Sequence, residues 1–354
     1  MPQNNFNDDL IYVSEDLMPK ISRTFDFTLR ILPQDLRDDL RVAYAFCRAI
    51  DNVEDSSLSY RRKVDLMNKI VSVFSSGDVD SAKGLERTIG KIRQTKEGYV
   101  ELMRNYSRVV GASRVLDKNV VDLIASCGRQ MADGLSNPVI QNIRSIEDHH
   151  RYCHYAAGVV GDLISRDIFL KGYLSENLLG EICPIIEDNL PLIGRSPSHD
   201  FAVALQVTNN LKDLHNDLQN GIRRWPKNLL SSNGLTFEII CDSNLNGEKL
   251  QKAYEVLRLQ IEDARSFFSS ATSWVDRIPY FVKGKEDSSL EGIKRSWGMA
   301  LAFSAATLSK IDSEKFFTDE GCRKITREEV IDLSSKVEEV VSKKGKIRDL
   351  IAKL

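Results

Sequence analysis

Several things are scarce in this chain, and each scarcity narrows what it can be. The six cysteines (Cys47, Cys127, Cys153, Cys183, Cys241, Cys322) are scattered, with no Cys-x-x-Cys pair. That spacing excludes a zinc ribbon and fits free thiols of a reducing compartment, several of them buried as small apolar residues. Charge of one sign is not in excess: the net charge is −2, with 42% hydrophobic and 28% charged residues. Neither a nucleic-acid binder nor a disordered acidic chain is expected. Long apolar runs are missing. The stretch Ser296 to Ser309 is the longest near the C-terminus, well short of the ~20 residues that a bilayer requires. It suits a buried core helix. The opening residues Met1 to Asp9 are polar and acidic, unlike a secretory signal or an Arg-rich transit peptide. Only nine prolines occur and no Pro/Gly/Ser-rich tract exceeds a loop, so no interdomain linker is expected. No alternating strand pattern, fixed-period repeat or Gly-x-Gly-x-x-Gly fingerprint is found.

What remains is helical periodicity. It predicts an all-α chain with helices over about 8–19, 21–31, 34–54, 60–75, 84–94, 97–111, 115–134, 145–172, 176–192, 197–219, 247–273, 288–310 and 327–350. Ser14-Glu15-Asp16, Ser145-Ile146-Glu147-Asp148 and Thr326-Arg327-Glu328-Glu329 read as helix starts. Breaks are expected at Ser75-Ser76-Gly77-Asp78, Arg195-Ser196-Pro197, Ser231-Ser232-Asn233-Gly234 and Asn246-Gly247. One domain over 1–354 is expected, with a core at about 20–310 and a C-terminal helix at about 327–350.

Within the 34–54 helix, Asp51, Glu54 and Asp55 are spaced by three and four and share one helix face. Like charges at that spacing destabilise a helix by roughly 0.2–0.5 kcal/mol per pair. A solvated face is the ordinary explanation. A hard divalent cation such as Mg²⁺ is the functional one, because it takes oxygen ligands and bridges to phosphates. A second stripe favours the cation. Gln206, Asn209, Asp213 and Asp217 are spaced by three, four and four behind an apolar start, Phe201 to Leu205. Tyr44, Arg48, Asp51 and Asp55 repeat the design with spacings of four, three and four. Two oxygen-rich stripes facing each other across a helical bundle could hold Mg²⁺ and a diphosphate between them.

These residues resemble the squalene/phytoene synthase family, the head-to-head branch of the trans-isoprenyl diphosphate synthases. Four segments carry the resemblance: Ser22-Arg23-Thr24-Phe25, AYAFCRAIDNVED (Ala43 to Asp55), YCHYAAGVVG (Tyr152 to Gly161) and LQVTNNLKDLHND (Leu205 to Asp217), continuing to Arg223-Arg224-Trp225-Pro226. The third segment is more similar to squalene synthases than to phytoene synthases.

The resemblance implies an isoprenoid-synthase helical bundle with a central cavity. It implies Mg²⁺-dependent condensation of two farnesyl diphosphates to presqualene diphosphate, then reduction by NADPH to squalene. It assigns Asp51, Asp55, Asp213 and Asp217 to Mg²⁺, with Glu54 in support. Arg23 and Arg48 contact diphosphate oxygens, with Ser22 and Phe25 beside them. Tyr44 and Tyr152 face the reacting carbons, and either Tyr152 or the released diphosphate removes the proton when the cyclopropane closes. Gln206 and Asn209 position substrate and metal water. Gly158 and Gly161 let helix and isoprenoid chain approach.

Departures are visible too. Squalene synthases carry Gly-Arg-Glu-Phe-Trp-Pro where this chain has Gly221-Ile222-Arg223-Arg224-Trp225-Pro226, so the diphosphate contact falls to Arg223 or Arg224. Trp297 replaces part of a late Phe-Cys pair and is a candidate shield for a cation. Lys324 and Arg327 are the candidates for NADPH phosphate. His149, His150 and His154 lack a further ligand set for zinc, and His199 and His215 are expected at the surface or as caps.

The leading expectation is a squalene synthase: monomeric, cytoplasmic, binding no nucleic acid, and working at a membrane surface because squalene is apolar. Eukaryotic squalene synthases end in a membrane helix, so this chain reads as a bacterial-type soluble enzyme or one cut before an anchor. The alternatives are a presqualene diphosphate synthase, a phytoene or dehydrosqualene synthase without NADPH, or a non-catalytic binding protein on the same fold.

Overall fold

Pro33 sets the start of the helix that carries the first acidic motif. Its φ of −49° and ψ of 144° turn the chain into Gln34–Glu54, a geometry the pyrrolidine ring favours. Leu36, Leu40, Ala43, Phe46, Ile50 and Val53 then form a buried row at helical spacing. Expected and observed ends coincide for this helix. The computed structural model describes residues 6–138, 140–183, 196–278 and 287–354. These residues form helices joined by turns and loops, with no strand among them.

The chain forms two compact units. The first takes the N-terminal part through Asn137 together with Leu163–Ser175. Here Gln34–Glu54 packs on Tyr60–Ser76, Glu97–Arg104, Tyr106–Ser113 and Lys118–Leu135. Phe46 stacks on Phe74 with centroids 4.1 Å apart. Gly128 lets Phe46 lie directly on its helix, since any Cβ there would overlap the ring. Beside the start of the long helix, Lys171 Nζ pairs with buried Asp39 at 2.5 Å. Asp167, 1% exposed, adjoins Asp39. Burial first, and the Asp39 charge second, push the Asp167 carboxyl up to about 8.

The second unit comprises Pro138–Asp162 and the chain from Glu176 to Leu354. Pro197–Lys212 packs along Gly247–Arg277 and against Asp287–Ile311. Phe201, Trp274 and Trp297 interlock there, at centroid distances of 4.7, 5.6 and 6.1 Å. Trp297 is 1% exposed, so it packs the core rather than presenting a face to a ligand. Gly161 admits the Ser198 carbonyl of the neighbouring helix. The close approach at this glycine is therefore helix on helix.

Several expected helices differ from what is found. The 84–94 helix is Val79–Ile89, because Asp78 accepts from the Asp80 and Ser81 amides and starts it early. The 97–111 helix breaks at Asn105, whose Nδ2 donates to the Glu101 carbonyl at 2.9 Å. The 145–172 helix has a π-helical turn, His154–Gly158, between Ile146–Cys153 and Val159–Leu170. The 197–219 helix breaks at Asp213, with φ −92° and ψ 6°. The 327–350 helix stops at Ser342, before Lys344 at φ 54°. The 8–31 region divides into Phe6–Ile11, a π-helical Tyr12–Leu17, Met18–Ile21 and Arg23–Leu29. Of the 176–192 helix, Glu176–Ile182 is seen, and residues 184–192 lie outside the described residues. The helices Lys227–Ser232, Phe237–Ile240, Glu314–Phe317 and Glu320–Arg323 are too short to show a period.

None of the six cysteines is in a disulfide, and Cys47, Cys127, Cys153 and Cys183 are buried. His199 is a correction: it is 1% exposed rather than at the surface. The helix start at Ser196–Pro197 turns it inward, where Nε2 lies 2.9 Å from His154 Nδ1 and Nδ1 lies 3.4 Å from Asp200. His215 is corrected likewise. It packs against Phe316 at 5.6 Å, and burial lowers its pKa to about 4, followed by the Arg323 charge.

Candidate active site

The first acidic motif closes its helix. Asp51 lies in the last turn of Gln34–Glu54 and Asp55 is its C-cap, where the helix dipole already presents its negative end. Cations gather in response. Arg48 Nη1 pairs with Asp51 Oδ2 at 3.2 Å, and Lys63 Nζ donates to the Glu54 carbonyl at 2.6 Å. Arg48 Nη2 donates to Tyr44 Oη at 3.2 Å. Its guanidinium also lies 5.6 Å from the Tyr44 ring centroid and 5.4 Å from that of Tyr99. Phe25 meets Tyr44 at 5.2 Å. Ser22 accepts from the Phe25 amide and caps Arg23–Leu29, while Arg23 is exposed. Tyr44, Arg48, Asp51 and Phe25 thus converge. Glu54 diverges: it is 3% exposed, in the buried row with Asn52 and Val53.

The second motif sits at a kink. Asp213 interrupts the helix, and the Asp217 amide then bonds its carbonyl at 2.9 Å. Lys212 Nζ lies 3.2 Å from Asp213 and donates to Asn209 Oδ1 at 2.8 Å. Lys324 Nζ lies 3.8 Å from Asp213. Gln206 donates to Asn210 Oδ1 at 2.9 Å. Asn210 Nδ2 in turn contacts His149 Nε2 at 2.9 Å and Cys153 Sγ at 3.5 Å. Burial lowers the His149 pKa to about 4, with His150 adding to the effect, so the ring is neutral and Nε2 can accept that bond.

The two arginines after this motif part ways. Arg223 pairs with exposed Glu238 at 3.5 Å. Arg224 is 8% exposed, and its guanidinium stands 4.0 Å from the Tyr152 ring centroid. Trp225 is wholly buried and donates to the Asn210 carbonyl at 3.3 Å. That anchor aims Arg224 inward.

The donor chemistry fits Mg²⁺. Each motif offers two aspartates four residues apart, and side-chain cations lie against Asp51 and Asp213. Among the described residues no three His, Cys, Asp or Glu side chains converge as a complete metal cage. Mg²⁺ commonly binds through one or two carboxylates, with phosphate and water completing its shell. The fit to NADPH is poor. Lys324 is drawn to Asp213, and Arg327 is the first residue of the capped helix Arg327–Ser342. No phosphate cradle is formed by either.

Two residues at the first motif escaped the sequence reading: Tyr99, already placed, and Lys96, whose Nζ donates to Tyr99 Oη at 3.1 Å. Their spacing of three was the only signal.

Known proteins similar to this chain are of one kind. A squalene synthase of Botryococcus braunii, named LSS, is 27% identical over 216 residues, covering 60% of this chain and 42% of that protein. The match spans under half the length of the first curated relatives. In fold, the chain is similar to the TcSQS structure with ligand E5700, at TM-score 0.76 and 20% identity over 96% of this chain and 90% of that one. It is also similar to a dehydrosqualene synthase with bound ligand, at TM-score 0.58 and 15% identity over 96% and 98%. The model of the squalene/phytoene synthase family matches residues 18–329, a reach that takes in all four motif segments, and the chain belongs to that family.

Proposed function

We propose that the protein is a squalene synthase-type prenyltransferase, joining two farnesyl diphosphates head to head through presqualene diphosphate. The observation that carries this reading is the recurrence of one design in both units: an Asp-x-x-x-Asp pair with cations on its first aspartate. Asp51, Asp55, Asp213 and Asp217 would hold Mg²⁺, which supplies charge neutralisation for the departing diphosphate. Arg48 and Arg224 would bind diphosphate oxygens, Arg48 through a planar fork held between two tyrosine rings. Arg23, exposed and near Ser22, would capture substrate. Tyr44, Phe25 and Tyr152 would present aromatic faces to the allylic cation. Gln206 and Asn209 would orient diphosphate and water.

The reduction to squalene needs NADPH, for which Lys324 and Arg327 form no cradle. The second reading, a reaction that ends at presqualene diphosphate or eliminates a proton to dehydrosqualene or phytoene, is favoured by the contact of Lys324 with Asp213. Incubation with farnesyl diphosphate and Mg²⁺, with and without NADPH, separates the two. Squalene formed only with NADPH supports the first reading. Its absence under both conditions overturns it.

A further inference from the structure

One aromatic ring beside the first acidic motif holds two cations. The Tyr99 centroid lies 5.4 Å from the Arg48 guanidinium and 4.9 Å from Lys96 Nζ. The ring belongs to Glu97–Arg104, which packs on Gln34–Glu54. Gln94 ties the preceding loop to the acidic helix by donating to the Asn52 carbonyl at 3.3 Å. The ring is therefore fixed relative to the motif by two independent contacts.

Two like charges that share one ring repel each other, while the ring face attracts each. A carboxylate would be the ordinary remedy. Arg48 has Asp51 at 3.2 Å, but Lys96 is exposed and pairs with no carboxylate among the described residues. The buried Nε–H of Arg48 finds no acceptor there either. The Arg48 Nε–H and the Lys96 ammonium thus keep donor capacity in hand, on the edge of a motif that would bind metal and diphosphate.

We infer that Tyr99 is a positioning residue that holds Arg48 in its anion-binding pose, and that Lys96 is a further contact for a diphosphate. The inference rests on the reading of Arg48 as a diphosphate ligand. Tyr99 acts from the side, through its ring face on Arg48 and its hydroxyl on Lys96. Lys96, on an exposed side chain, swings from the phenol to phosphate oxygens when the anion arrives.

The test uses the full chain and inorganic pyrophosphate with Mg²⁺, titrated by calorimetry, beside steady-state turnover of farnesyl diphosphate. Tyr99→Leu removes the ring and should weaken pyrophosphate binding about three- to tenfold, with KM rising by the same factor and kcat falling less. Tyr99→Phe keeps the ring and should retain most of the affinity. Lys96→Gln should weaken binding by about threefold and flatten its salt dependence. Wild-type pyrophosphate affinity in Tyr99→Leu overturns the inference, as does equal damage from Tyr99→Phe and Tyr99→Leu. Should Tyr99→Leu lose its helical circular-dichroism signal, Lys96→Gln decides: unchanged affinity overturns the inference. A wild type that binds pyrophosphate in a Tyr99-dependent way but releases no diphosphate from farnesyl diphosphate overturns the proposed reaction and leaves the anion site standing.

Discussion

The two acidic motifs have the same spacing but different local settings. Asp51 and Asp55 end an unbroken helix of 21 residues. Their compensation is an arginine held between two tyrosine rings. Asp213 and Asp217 straddle a kink, and two lysines attend Asp213. Arginine on aromatic faces is a preorganised fork, whereas lysine is a mobile point charge. The first site is therefore rigid and the second adjustable. For chemistry that ionises a diphosphate, a fixed clamp lowers the reorganisation needed at the moment of bond breaking.

The largest test of that comparison removes one carboxylate charge from each motif. Asp51→Asn and Asp213→Asn should each lower turnover on the order of 10³-fold, from several kcal/mol of lost leaving-group stabilisation. Circular dichroism should be nearly unchanged. Near-normal activity in either variant would remove that motif from the metal site.

A smaller effect separates the arginines of the second unit. Arg224→Ala should cost about 10–100-fold in kcat/KM, and Arg223→Ala less than about threefold, as an exposed ion pair is worth ~0–1 kcal/mol. The reverse order would move the diphosphate contact to the surface arginine.

Next come the lysines. Lys212→Gln with Lys324→Gln relieves Asp213 of competing cations, and half-saturation by Mg²⁺ should fall by about two- to fivefold. Titration of metal-dependent thermal stabilisation reads this without turnover. An unchanged midpoint would make the lysines bystanders.

The smallest effect on turnover belongs to Asp167→Asn, remote in sequence from both motifs. Its folded pKa, about 8, lies above the ordinary carboxylate value. The unfolded chain therefore releases this proton first, so the group's contribution to stability falls as pH rises from about 4 to about 8 and then levels off. Within that window the slope is on the order of 1.4 kcal/mol per pH unit. The melting-temperature gap between variant and wild type should widen from pH 5 to pH 8. A constant gap would show that Asp167 is not the proton holder.

Much of the architecture was legible in the residues. The 34–54 helix was read with both ends, because a buried row of helical period runs unbroken from Pro33 to the motif. The breaks at Asn105 and Asp213 were not legible. Asn105 competes with the helix through its own amide, a choice among local conformations that periodicity does not encode. The π-helical turn after Tyr152 and Cys153 was hidden for a related reason: one extra residue in a turn leaves the apolar pattern almost intact. His199 was misplaced because a polar residue at a helix start reads as exposed, and only the packing of that helix turns it inward.

The sequence by itself determined which polar side chains share a helix face. Spacings of three and four put Asp51 with Asp55, Arg48 with Tyr44, and Asp213 with Asn209 on shared faces, and helix geometry needs no further information for that. Tertiary structure alone decided which arginine turns inward, that Lys324 meets Asp213, and that Tyr99 and Lys96 stand beside Arg48. Those contacts join residues from different helices or loops. Their distances follow from how the elements pack, and no local periodicity records that.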